Sequence, residues 1–192
     1  MWTHVLSTVR VCFAALHQIR SVRRSLPRHA LLSLVHALMV YCNLVLAGVT
    51  GNLLYRLQSV LNAAARLVFS ARKFNQIMSL LRKLNWLKVP ERIQYRLCIL
   101  AYRCLHNTIP LYLSKSLQLA ADVDGRRRLC SASSITLVVP ATCRSTLGDR
   151  AFPVTAARAW NALPLDVKAA PSLAAFWRRL KLPLFHSSFP GD

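Results

Sequence analysis

Leu53 to His106 reads LLYRLQSVLNAAARLVFSARKFNQIMSLLRKLNWLKVPERIQYRLCILAYRCLH, and its apolar residues recur at helical spacing. Leu54, Leu57, Leu61, Ala64 and Val68 step by three and four, the interval that keeps side chains on one helix face, while Arg56, Asn62 and Arg66 fall on other faces. Ala63 to Ala65 sets small side chains side by side, where a neighbouring helix can approach closely. The turn Phe69 to Asn75 adds Arg72 and Lys73, after which Ile77, Leu80, Leu81 and Leu84 define a short second helix that Asn85 ends. Trp86 to Pro90 forms an apolar turn. Pro90 suits position N1 of a third helix, where a missing N–H costs no hydrogen bond, and Glu91 complements the positive end of the helix dipole. Ile93, Leu97, Leu100 and Cys104 form the expected buried stripe of that helix, and Arg92, Arg96 and Arg103 project together from one side.

Working outward, Val5, Val9, Cys12, Phe13 and Leu16 predict an amphipathic first helix, with His17 and Arg20 beyond them. No basic start followed by an apolar run and a small-residue cleavage signal opens the chain, so a secretory leader is not expected. Residues 20–28 form a basic hinge carrying Arg20, Arg23, Arg24 and Arg28, in which Ser25 can cap a helix whose first turn holds Pro27. Residues 29–49 are almost continuously apolar. About 20 such residues can cross a bilayer, but Ser33, His36 and Asn43 interrupt the run, and a buried helix is the expectation.

Beyond Asn107 and Pro110 the helical pattern weakens to a short segment around Tyr112, Leu113, Leu117 and Leu119. Residues 121–134, with Arg126, Arg127 and Arg128, read as a linker. The β-branched run Ile135 to Val139, ended by Pro140, predicts a strand paired in a hairpin with residues 143–146 and closed by Gly148. Phe152 to Leu163 predicts a short helix with Trp160 buried; Ser172 caps a last helix, which Pro183 stops. The expected fold is mainly α. A helical bundle covers residues 1–119, a basic linker residues 120–134, and a small α+β tail with one hairpin residues 135–192.

Lys and Arg number 26 against 6 Asp and Glu, a formal charge of +20, in a chain whose hydrophobic fraction is 54%. So large an excess repels itself unless a polyanion neutralises it or the charge is solvated at the surface. Arginine supplies 20 of the 26 cations, which favours bidentate contact with phosphate and makes nucleic acid the first expected partner, ahead of an anionic membrane. The row Arg92, Arg96 and Arg103 reads equally as a phosphate track or as a solvated helix face. The six cysteines form no C-x-x-C pair and mostly sit in apolar runs, which suits reduced core thiols in an intracellular protein of the nucleus or cytoplasm. Cys98, Cys104 and His106 match no zinc spacing, so no metal or other cofactor is expected. Metal-assisted phosphoryl transfer requires paired carboxylates, whereas only Asp122 and Asp124 lie close together here, in the linker. There is also no Gly-rich phosphate loop, nucleophile elbow or H-E-x-x-H motif, and catalysis and a small-molecule substrate are not expected.

RSVRRSLP, VHALMVYCN, LQSVLNAAARLV, LNWLKVPERIQYRLCILAYRCLH, LVVP, GDRAFPVTAARAWNALP and SLAAFWRRLK, taken in order, resemble the C-terminal part of the polyprotein of LINE-type, non-LTR retrotransposons. The resemblance implies that the first half is similar to the helical thumb, which clamps the template–primer duplex behind the catalytic palm, and that the rest is similar to the tail after it. The family's catalytic signature, an aromatic-x-Asp-Asp turn with an upstream Asp, has no counterpart in this sequence. The resemblance therefore implies contact with duplex or RNA–DNA hybrid without polymerase activity, and the missing palm as a further partner. The expected contacts are Arg92, Arg96, Arg103, Arg66, Arg72 and Lys73, then the hinge residues Arg20, Arg23 and Arg24. Two other classes remain open: a translated relic or structural scaffold with inherited charge, and a single-span membrane protein.

Overall fold

The computed structural model describes residues 2–42, 51–72, 74–122, 135–142 and 148–190. Helices α1 (Trp2–Val22), α2 (Arg28–Cys42), α3 (Gly51–Phe69), α4 (Ile77–Lys83), α5 (Val89–Leu105), α6 (Leu111–Ser114), α7 (Phe152–Asn161), α8 (Leu165–Lys168) and α9 (Leu173–Ser188) follow in order. Residues 1–92 and 93–190 form two compact units, the division falling within α5. Residues 123–134 of the expected linker lie outside the described residues.

In the first unit α3 packs on α1, α2 and α4, and α1 packs on α2. Leu53, Leu57, Val60, Leu61, Ala64, Ala65 and Val68 of α3 are buried, as are Val5, Val9, Cys12 and Leu16 of α1 and Leu31 and Val35 of α2. A fully buried side chain of the Leu or Val kind contributes about 1.5–3 kcal/mol, so each member of these stripes favours the packed state. Two expected stripe members fall elsewhere: Leu54 is half-buried, and Phe13 is 41% exposed. Gln58 Oε1 accepts from the Val89 N–H at 2.9 Å, satisfying one of the donors that the start of α5 leaves unpaired.

Asn85 ends α4 as expected, at φ 52°, with the Trp86 N–H donating to Leu81 O at 3.0 Å. Ser70 after α3 and Asn107 after α5 repeat the arrangement, at φ 52° and 51°, with Ala71 N–H to Arg66 O and Thr108 N–H to Arg103 O each at 3.0 Å. A left-handed residue with a backward bond to a carbonyl of the last turn is a standard helix stop, and Asn tolerates it better than most side chains.

The second unit is built around aromatic rings. Tyr102 and Phe176 stack at 4.5 Å and Trp160 and Phe176 at 5.8 Å, all three buried. Their polar ends are satisfied: Tyr102 Oη donates to Ala170 O at 3.2 Å, and Trp160 Nε1 donates to Ile135 O at 2.9 Å. Burying Tyr102 turns the inner face of α5 toward Cys98, Ala101, Tyr102 and Cys104. The expected stripe is thereby corrected: Leu100 is 37% exposed, and Ile93 and Leu97 are half-buried.

The fold is mainly helical, and the expected hairpin is corrected. Among the described residues there is no strand, only an isolated antiparallel bridge between Leu119 and Leu137. Asn161 takes both backbone groups of Leu137, accepting from its N–H at 2.9 Å and donating to its carbonyl at 2.8 Å. Thr136 O accepts from Ala120 N–H and Val138 N–H donates to Gln118 O, which leaves little of this segment's hydrogen bonding for a hairpin partner. The proposed partner, residues 143–146, lies outside the described residues.

Ser172 caps α9 as expected, its Oγ accepting from the Ala175 N–H at 3.2 Å. Pro183 does not stop that helix. α9 runs on to Ser188 because Leu184, Ser188 and Phe189 are buried, and that packing offsets the bond Pro183 cannot donate to the carbonyl of the exposed Arg179. Among the described residues no helix is long and apolar enough to cross a membrane; residues 43–49 of the expected apolar run lie outside them.

Candidate nucleic-acid interface

The first unit holds a cleft of ≈ 640 Å³ between the end of α1 and the end of α3. Phe13, Leu16, His17 and Arg20 of α1 line one wall, with Arg23 in the 3₁₀ turn that follows; Ala63, Arg66, Leu67, Ser70, Ala71 and Arg72 line the other. Phe13, His17 and Arg20 are four and three residues apart, so one helical face carries an aromatic ring, an imidazole and a guanidinium in succession. Ala63, Arg66, Leu67 and Ser70 repeat the same spacing on α3.

Four of the expected contacts, Arg20, Arg23, Arg66 and Arg72, therefore converge although they lie up to 52 residues apart. Arg23 Nη2 donates to Val68 O at 3.5 Å, using one of the carbonyls that the end of α3 leaves unpaired. Arg28 lies with its guanidinium carbon 5.7 Å from the Phe69 ring centroid, a cation–π contact at that same helix end. Arg66 is half-buried, and its Nε is sealed from solvent without a hydrogen-bond partner. Glu91 is the sole acidic residue in the sequence 1–92, so the unit has little negative charge with which to neutralise these guanidinia. Like charges gathered around a concave, partly apolar space raise the local positive potential, and an anion entering it relieves their repulsion.

The other expected contacts lie apart from the cleft. Arg24 is exposed but does not line it, and Lys73 lies outside the described residues. Arg92 rests over the Trp86 ring at 5.6 Å. Arg96 is half-buried beside Tyr95, whose phenol is pushed up by burial and drawn partly back by the Arg96 charge. Arg103 Nη2 donates to Thr108 O at 3.3 Å while Thr108 Oγ1 donates to Arg103 O at 3.2 Å, so this arginine closes the end of α5. Sequence spacing missed Phe13, His17, Ala63 and Leu67 as cleft residues; the signal was that Phe13 also shares a face with His17 and Arg20.

In the second unit several polar groups bond within the fold. Asp149 accepts from Arg158 Nη2 at 3.0 Å and from Thr142 Oγ1 at 3.2 Å. Burial pushes the Cys98 thiol up to about 12 despite the nearby Lys168 charge, so it stays a neutral thiol rather than a nucleophile. Burial also draws the Lys168 ammonium down, and its Nζ donates to Asn161 O at 3.1 Å. Among the described residues no group of three or more His, Cys, Asp or Glu side chains is placed to hold a metal ion. No protein-family model matches the chain, and no curated protein or solved structure matches it.

Proposed function

We propose that this chain binds nucleic acid through its phosphates without reading sequence, as a non-catalytic protein derived from the thumb and tail of a LINE-type, non-LTR reverse transcriptase polyprotein. The observation that carries the reading is the convergence of Arg20, Arg23, Arg66 and Arg72 on one cleft. Guanidinia are the side chains best matched to phosphate, and contacts to phosphate position a protein on a strand without selecting bases. Duplex and RNA–DNA hybrid are the partners that the thumb resemblance implies, in the nucleus or cytoplasm, with a polymerase palm as a further partner.

Binding of labelled duplex and hybrid at rising salt tests it. Affinity that falls steeply and alike for unrelated sequences is expected, and affinity indifferent to salt would remove backbone recognition. A second reading, a translated relic or structural scaffold, draws on the exposure of large apolar side chains such as Phe74 at 94% and Tyr55 at 77%. Its mark would be a molten, aggregating product; a single cooperative unfolding transition would count against it.

A further inference from the structure

The cleft between α1 and α3 is cationic only in part. Leu16, Ala63 and Leu67 give it an apolar lining, and Phe13, which also lines it, leaves 41% of its surface to solvent. A site made only for a phosphate backbone has no use for an aromatic ring and a small-residue floor. A duplex keeps its bases stacked inside and presents phosphates and groove edges, so it cannot place a base face in a concave apolar space. An unpaired nucleotide can, because every base has a π face that stacks on an aromatic side chain whatever its identity.

The volume agrees: ≈ 640 Å³ falls within the range of about 300–1,000 Å³ typical of clefts that enclose one small organic ligand. The charge is also placed for a phosphate. Arg20 and Arg72 are exposed, and Arg66 lines the cleft with them. Resting on the nucleic-acid reading above, we infer that the cleft takes an unpaired nucleotide of a nucleic-acid strand, its phosphate and the adjoining phosphates of the strand among Arg20, Arg23, Arg66 and Arg72 and its base against Phe13. Phe13 then stacks with any base, and the arginines hold the strand.

The test couples Phe13 to the base. Fluorescence anisotropy of the full chain is measured with a short single strand, with the same strand made abasic, and with a blunt duplex, for the unaltered protein and for Phe13→Ala. The expected result is tighter binding of the single strand than of the blunt duplex. Losing one base–aromatic stack should weaken the ordinary strand about tenfold in Phe13→Ala, with little change for the abasic strand. Because Phe13 keeps 41% of its surface in solvent and lies outside the buried stripe of α1, the variant should retain the fold, and the abasic arm on the unaltered protein requires no substitution. Salt-dependent binding in which Phe13→Ala and base removal act independently, or not at all, overturns this inference and leaves backbone binding standing. No salt-dependent binding of any strand or duplex overturns both. Displacement of the strand by a free mononucleotide at equal nucleotide concentration would assign the cleft to free nucleotides and overturn the strand assignment.

Discussion

Replacing Arg20 and Arg72 together by Gln isolates the electrostatic contribution of the cleft, because both side chains are exposed and their loss disturbs little packing. Four arginines line the cleft, Arg20, Arg23, Arg66 and Arg72. If each neutralises one phosphate of a single strand, counterion release sets a slope of log affinity against log salt of about −0.7 per contact, or about −2.8 in all. Between 50 and 200 mM salt such a slope lowers affinity about 50-fold, whereas with two contacts left the slope is about −1.4 and the loss about sevenfold. Anisotropy titrations at four or five salt concentrations resolve that difference, with far-ultraviolet circular dichroism as the control on fold. Arg103→Gln is the contrasting variant. Its guanidinium is committed to Thr108 O at the end of α5, and the slope should not change. A double variant with an unaltered slope, or an Arg103 variant with the larger effect, would refute the assignment of the phosphates to the cleft.

Three residues of the second unit support further predictions. Trp160→Ala removes a buried indole from the stack with Phe176 and should cost about 3–5 kcal/mol in urea unfolding. Trp160→Phe keeps a ring but leaves Ile135 O without its donor, and should cost about 1–3 kcal/mol; a smaller loss would show the indole bond to be dispensable. Ser172→Ala deletes the cap on α9 and should cost about 1 kcal/mol, read from the same unfolding curve. Cys98 should resist alkylation at pH 8 until the chain is denatured. Its folded value, about 12, lies above the ordinary 9.0, so its contribution to stability is full below pH 9 and is lost as pH rises toward 12. The lowered Lys168 value acts in the opposite sense, so the comparison is between the unaltered chain and Cys98→Ala from pH 8 to 11; equal pH dependence would argue against a buried neutral thiol.

Helix positions were legible where local chemistry settles them. Asn85 ends α4 because it accepts the left-handed conformation, and Ser172 starts α9 because its hydroxyl accepts from a free helix N–H. Pro183 misled because its local penalty is smaller than the packing around Leu184 and Phe189, which only the folded chain brings into play. Ile135 to Val139 misled in the same way. Its β-branched residues do favour extended backbone, but the partner for Leu137 is the Asn161 side chain, 24 residues on, and no propensity encodes that pairing. The spacing of Phe13 fits the apolar stripe with Val9, Cys12 and Leu16 and equally the face of His17 and Arg20, and the folded chain leaves it 41% exposed on the latter.

By itself the sequence determined that the chain is helical, strongly basic and arginine-rich, because period, capping residues and composition are local properties that survive any arrangement of the helices. Tertiary structure alone decided which arginines lie together. Spacing along α5 aligned Arg92, Arg96 and Arg103 on one helix face, yet local contacts occupy Arg92 and Arg103, and none of the three lines the cleft. The cleft instead joins Arg20 and Arg23 to Arg66 and Arg72 across the packing of α1 against α3. Helical periodicity says which residues share the face of one helix; which faces of two distant helices meet is decided by their packing, in which α1 buries Val9, Cys12 and Leu16 and α3 buries Leu57, Leu61, Ala64 and Ala65.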